Sequence, residues 1–104
     1  MTPTLVTTKF LIAAHKTVAA AESYYRLVGG VQTAMQPNRV FANPGEPLLI
    51  VKYVVDKDLG SAYNVTFPRL CLYTLLNIHG NVGYLELKLL RDEDPISAIG
   101  KPMV

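Results

Sequence analysis

Covalent catalysis is the first chemistry to test for, because it needs a hydroxyl or thiol within hydrogen-bonding reach of a base. The chain contains one cysteine and two histidines. In a predicted strand, Cys71 and His79 share one face but lie roughly 26 Å apart, which is too far for proton transfer. His15 falls in a predicted helix, where an imidazole is usually solvated. The sequence therefore predicts no catalytic residue.

Metal and phosphate sites are not indicated either. One cysteine and two histidines cannot complete the usual closed zinc site within one chain. The acidic run 92–94 follows the last predicted strand, where carboxylates commonly keep a strand end soluble. Gly29 and Gly30 follow a predicted helix, whereas glycines that bind phosphate precede one. We therefore expect no metal, no cofactor and no enzymatic activity.

The composition indicates one apolar α+β domain. The chain has 104 residues, of which 50% are hydrophobic and 17% charged, against about 25% charged residues in an average protein. The net charge of +2 does not imply strong attraction to nucleic acid. No segment approaches the ~20 apolar residues of a membrane span, and we recognise no export signal. The expectation is a cytoplasmic protein with no membrane partner, in the host cytoplasm if the chain is viral.

Hydrophobic periodicity predicts one helix followed by a sheet. Apolar side chains recur at three- and four-residue steps over residues 9–28, which is typical of an amphipathic helix, and Gly29 ends it. The predicted strands are 39–42, 48–55, 63–67, 70–78 and 82–90. Residues 1–8 are predicted as an arm or edge strand and residues 95–104 as a tail.

The predicted fold is a single α+β domain over residues 1–104, with one amphipathic helix packed on a four- or five-stranded, mostly antiparallel sheet. This order of elements resembles the cystatin-like and NTF2-like architectures. One alternative remains open at this point: residues 69–77 form a helix between Pro68 and Gly80.

The predicted hairpin sets which residues share a face. Gly80 and Asn81 are typical of a two-residue type II′ turn, and this turn places Tyr73 opposite Lys88. One face is then the core side that receives the helix. The other is predicted to be a homodimer interface, because soluble monomers rarely expose large apolar patches. The predicted interface residues are Cys71, Tyr73, Leu75, Val82, Tyr84 and Leu90. Alternatively, the sheet curls and buries part of both faces.

Three segments, 46–52, 61–63 and 82–85, resemble the later strands of filamentous-phage single-stranded-DNA-binding proteins. The resemblance covers under half of the chain, and those proteins lack a helix like the one predicted at 9–28. It implies binding of single-stranded nucleic acid, in which tyrosines stack on bases and cations contact phosphates. The candidate contacts are Lys52, Tyr53, Arg69, Tyr73, Tyr84, Lys88 and Arg91.

Two functions therefore follow from the sequence. The first is a non-enzymatic, self-assembling or partner-binding protein, such as a small viral, phage or plasmid accessory factor, with a homodimer as the favoured state. The alternative is a single-stranded nucleic-acid-binding protein, which the small net charge makes less favoured.

Overall fold

The computed structural model describes residues 2–21 and 40–103. They form a small, compact domain, mostly antiparallel sheet with few helices, and the radius of gyration is 13.2 Å, close to the ~13 Å expected for this length. The strands are β1 (Thr4–Thr8), β2 (Ile12–Ala13), β3 (Val40–Ala42), β4 (Pro47–Asp58), β5 (Arg69–Leu76), β6 (Val82–Leu89) and β7 (Gly100–Pro102). Residues 18–21 are helical and are labelled α1, and α2 is Pro95–Ile99.

Five strands form one antiparallel sheet in the order β6-β5-β4-β1-β7. The first strand therefore lies inside the sheet, between β4 and β7, and is not an edge strand. The C-terminal segment forms α2 and then β7, which pairs with β1 of the same chain. Asp94 caps α2, since its carboxylate accepts a hydrogen bond from the backbone N–H of Ile96 at 3.4 Å and another from the Ser97 hydroxyl at 2.8 Å.

The N-terminal segment closes the sheet on itself. At its start, β1 pairs with β4. Seven residues after β1, the backbone N–H of His15 donates to the Tyr84 carbonyl of β6 at 2.8 Å, and the Tyr84 N–H donates back at 2.9 Å. One continuous segment thus bonds to both β4 and β6. The sheet must curl to allow this, and two register shifts in β4, at Val51 and Val54, supply bends of the kind that bulges produce.

The enclosed core contains the inward side chains of every strand of the sheet except β7, together with residues of β2, β3 and α2. Among the residues whose burial the structure describes, Tyr73 is the largest side chain that is fully buried. The opposite face of the same strand is also buried, since Leu70 and Leu72 are both 0% exposed. This agrees with the alternative in which the sheet curls and buries part of both faces. The core comprises Val6, Ile12, Ala14, Phe41, Ala42, Leu48, Ile50, Cys71, Tyr73, Leu75, Leu85, Leu89 and Ile99.

The helix prediction for residues 9–16 is wrong. Ile12 and Ala14 are buried in an extended segment. Apolar residues at positions 10, 12 and 14 fit the two-residue period of a strand, and the alanines between and beside them also allowed a helical pattern to be read. The helix starts instead after Thr17, whose hydroxyl accepts from the Ala20 N–H at 3.1 Å as an N-cap does. Residues 22–28 lie outside the described residues, so the packing of a helix on the sheet stays a prediction.

The strand prediction for residues 63–67 is also wrong. Hydrogen bonds between side chains and the local backbone take the place of the backbone hydrogen bonds of a sheet in this segment. The Asn64 side-chain oxygen accepts from the N–H groups of Thr66, at 3.0 Å, and Phe67, at 2.7 Å. Gly60 has a φ of +84°, and the Asp58 carboxylate accepts from its N–H at 2.8 Å. Residues 59–68 are therefore a turned loop between β4 and β5.

Residues 69–76 are strand, so the helix alternative is excluded, but the predicted hairpin register is wrong. The side chain of Asn77 organises a longer turn by accepting from the N–H groups of His79 and Asn81, each at 3.0 Å. Gly80 has a φ of +78°. Leu76 pairs with Val82, which shifts β6 by three residues from the predicted pairing. An odd shift changes which β6 side chains share a face with those of β5, so the odd-numbered residues of the two strands now lie on the same face.

Gly83 precedes Tyr84, where the segment that follows β1 bonds to β6 through His15. A methyl group has no room at this position. A Cβ at this position would be 2.7 Å from the ring of Phe41 and 2.9 Å from the Cβ of Ala14. We expect Gly83→Ala to lower the free energy of unfolding by about 1–3 kcal/mol through overpacking. Urea unfolding measures it, with exposed Ser61→Ala as control. Equal stability of the two variants would contradict the close packing at this junction.

Candidate interaction surface

The structure divides the six predicted interface residues between two faces. Cys71, Tyr73 and Leu75 are 0% exposed and belong to the core. A partner cannot reach them in the folded chain. Burial raises the pKa of the Cys71 thiol to about 12, so the thiolate needed for nucleophilic chemistry is not available near neutral pH.

The other three predicted interface residues lie on or beside β6. Val82 is 49% exposed and Leu90 44% exposed, and Tyr84 is half-buried between them. Their side chains are on the outer face, because the odd-numbered residues of β6 pair with Leu75, Tyr73 and Cys71, which face the core. The two halves of the predicted interface therefore belong to opposite faces of the sheet.

Two of the tyrosines predicted to stack on nucleic-acid bases are engaged inside the protein. The hydroxyl of Tyr73 donates to the Pro95 carbonyl at 2.7 Å, which ties α2 to β5. The rings of Tyr53 and Tyr73 pack edge to face, with centroids 5.7 Å apart. Tyr73 has no exposed face on which a base can stack, and Tyr53 is partly buried against the core.

The two arginines predicted to bind phosphate are paired with carboxylates. Arg69 binds Asp56 through two nitrogens, at 2.8 and 3.0 Å. Arg91 forms an ion pair with Asp58. The hydrogen bond that the Arg91 guanidinium donates to the Asp58 carboxylate holds the pKa of this carboxyl below its usual value. These pairs connect β4 with β5 and with the segment after β6. They offer little free charge to a nucleic acid.

Three lysines and one tyrosine remain together on the outer face. Lys52 and Tyr84 occupy one row across the sheet, each paired with Thr74 of β5, while Lys57 and Lys88 occupy another row, each paired with Leu70. Among the described residues, none of these lysines has a carboxylate within ion-pair distance.

Glu86 lies between these two rows, beside Leu72. Burial raises the pKa of its carboxyl to about 7, against the smaller opposing effect of nearby Lys88. At neutral pH the outer face of β6 therefore carries one lysine and one carboxyl group that is easily protonated.

An apolar row crosses the same face at the turn end of the sheet. Leu5 pairs with Leu49, Leu49 pairs with Leu76, and Leu76 pairs with Val82. Leu5 is 43% exposed and Val82 is 49% exposed. This row is the closest counterpart to the apolar sheet face that the sequence predicts. Of its members, the six predicted interface residues include only Val82, because the row depends on the observed strand register.

The outer edge of β6 is only partly paired. The N–H and C=O of Tyr84 point away from β5, toward His15. Because successive residues of a strand alternate in direction, the backbone groups of Glu86 and Lys88 point the same way. No residue of the described ranges pairs with them. Sequence periodicity does not predict this unpaired edge, because the edge begins where the N-terminal segment makes its last bond to β6, at His15 and Tyr84.

The described ranges contain no pocket, no group of three metal-ligating side chains, and no helix long and apolar enough to cross a membrane. Comparisons with protein-family models, curated proteins and solved structures return no match. The functional argument therefore depends on the outer face and the β6 edge.

Proposed function

We propose that this chain is a non-enzymatic protein that acts by self-association, with two copies meeting at β6. One observation carries the proposal: the backbone N–H and C=O groups of Glu86 and Lys88 lie on an outer strand edge with no partner in the described residues. An unpaired edge is a template for another strand. Exposed Leu90, which follows the unpaired part of this strand, adds apolar contact area.

The same geometry sets the strength of the association. Only a few residues of β6 are unpaired, so the shared surface is smaller than the ~1,200 Å² of a standard stable interface. A net contribution of about 1 kcal/mol for each backbone hydrogen bond also implies a weak complex. The expected state is a monomer and dimer in an equilibrium that depends on concentration.

We expect sedimentation equilibrium to show an average mass that rises above the monomer's 11.4 kDa as the concentration increases from about 10 to 500 μM. Lys88→Pro should abolish the rise. Proline removes an outward N–H that β5 does not use, which edge strands tolerate. Lys88→Thr is the matched control, because it also removes the charge but keeps the N–H.

Two results would contradict self-association at β6. One is a wild-type chain that stays monomeric over the whole concentration range. The other is a Lys88→Pro chain that keeps its fold by circular dichroism and still associates as strongly as Lys88→Thr.

Binding of single-stranded nucleic acid is a second candidate, in a form that differs from the one the sequence predicts. The observation in its favour is the set Lys52, Lys57, Lys88 and Tyr84 on one face. Three cations limit the slope of log affinity against log salt to roughly 2, at about 0.7 per neutralised phosphate. Stacking of a base on Tyr84 adds about 1–3 kcal/mol.

Fluorescence anisotropy with a labelled oligothymidylate at low salt tests this candidate. We expect Lys52→Glu to weaken binding several-fold more than Lys101→Glu, which makes the same charge change on exposed β7. No binding at tens of micromolar protein, or equal effects of the two variants, would rule out this surface as the binding site.

A further inference from the structure

We infer that the partner at the β6 edge is a second copy of this chain, joined as an antiparallel strand about a two-fold axis at Leu87. The inference rests on the proposed self-association and adds its register. It is carried by three features: the limits of the unpaired edge, the direction of its backbone groups, and the charges beside it.

The unpaired edge has two structural limits. At one end, the backbone of His15 already bonds to Tyr84, so a partner strand cannot continue past residue 85. At the other end, β6 stops at Leu89, and the chain turns at residues 91–92. The unpaired edge is therefore 85–89, and its midpoint is Leu87. An antiparallel copy that uses the whole edge must be centred on that residue.

The backbone directions agree with this centre. In an antiparallel pair, residues whose N–H and C=O groups point toward the partner must lie opposite each other. Centring on Leu87 places Glu86 opposite the partner's Lys88, and both residues direct their backbone groups outward. The symmetry then gives two such pairs, with two backbone hydrogen bonds in each.

The side-chain charges select the same register. Glu86 and Lys88 lie on the outer face of β6, so this pairing places each carboxylate beside the partner's ammonium group, twice in the dimer. Opposite charges across a strand pair favour association. A register shifted by one residue at the axis places either two Glu86 or two Lys88 side chains opposite each other, and like charges in that position are unfavourable.

Charge exchange tests the register in the full chain. The variants are Glu86→Lys, Lys88→Glu and the double exchange, followed by sedimentation at about pH 8.5, where Glu86 is ionised. Each single variant should associate roughly tenfold more weakly than wild type, because both cross-strand pairs become repulsive. The double exchange should restore the association, and so should an equimolar mixture of the two single variants. Asp92→Lys and Lys101→Glu control for net charge, and thermal melting confirms the fold.

The outcomes separate the inference from the proposed function. If Lys88→Pro prevents association but the single charge variants associate like wild type, self-association at β6 stands and the register about Leu87 is overturned. If the double exchange stays as weak as the single variants, the pairing of Glu86 with the partner's Lys88 is overturned. A wild-type chain that never associates overturns both.

Discussion

The two hydrogen bonds between His15 and Tyr84 are the constraint on which the rest of the structure depends. They require one segment, from β1 to His15, to reach from β4 to β6 across the width of β5. A flat sheet cannot meet this requirement, so β4 bends at Val51 and Val54 and the sheet curls. The curl encloses a core from a short chain in which one strand, β5, has buried side chains on both faces.

The closure of the sheet also determines where side chains pack most closely and which part of the β6 edge has no partner in the described residues. Gly83 lies beside the junction because Phe41 and Ala14 fill the space a side chain would occupy. The buried Tyr73 hydroxyl binds the Pro95 carbonyl, which holds α2 and hence β7 against the sheet. The junction uses the backbone of Tyr84 and stops there. The remaining outer edge of β6 is the feature from which self-association is argued.

Long apolar runs allowed part of this fold to be predicted from sequence. The strand at 48–55 lies within β4, and those at 70–78 and 82–90 overlap β5 and β6, because β-branched and leucine-rich runs bounded by proline, glycine or acids have few other solutions. The short strand at 39–42 is confirmed by β3 for residues 40–42, and residue 39 lies outside the described residues.

The errors have a common physical cause. The side chains of Asn64 and Asn77 accept backbone hydrogen bonds that convert a predicted strand into a loop and a two-residue turn into a longer one. Neither composition nor hydrophobic periodicity predicts such side-chain to backbone hydrogen bonds. The shift at Asn77 separates Tyr73, which lies in the core, from Val82, Tyr84 and Leu90, which lie on the outer face.

Amide hydrogen exchange measured by NMR on a dilute sample tests the closure most directly. The account predicts that the N–H groups of His15 and Tyr84 exchange as slowly as the core amides of β5, because both are bonded inside the folded sheet. It also predicts that those of Glu86 and Lys88, on the same edge of the same strand, exchange rapidly. Rapid exchange at Tyr84 and His15, equal to that at Glu86, would show that the sheet is open and would contradict the account.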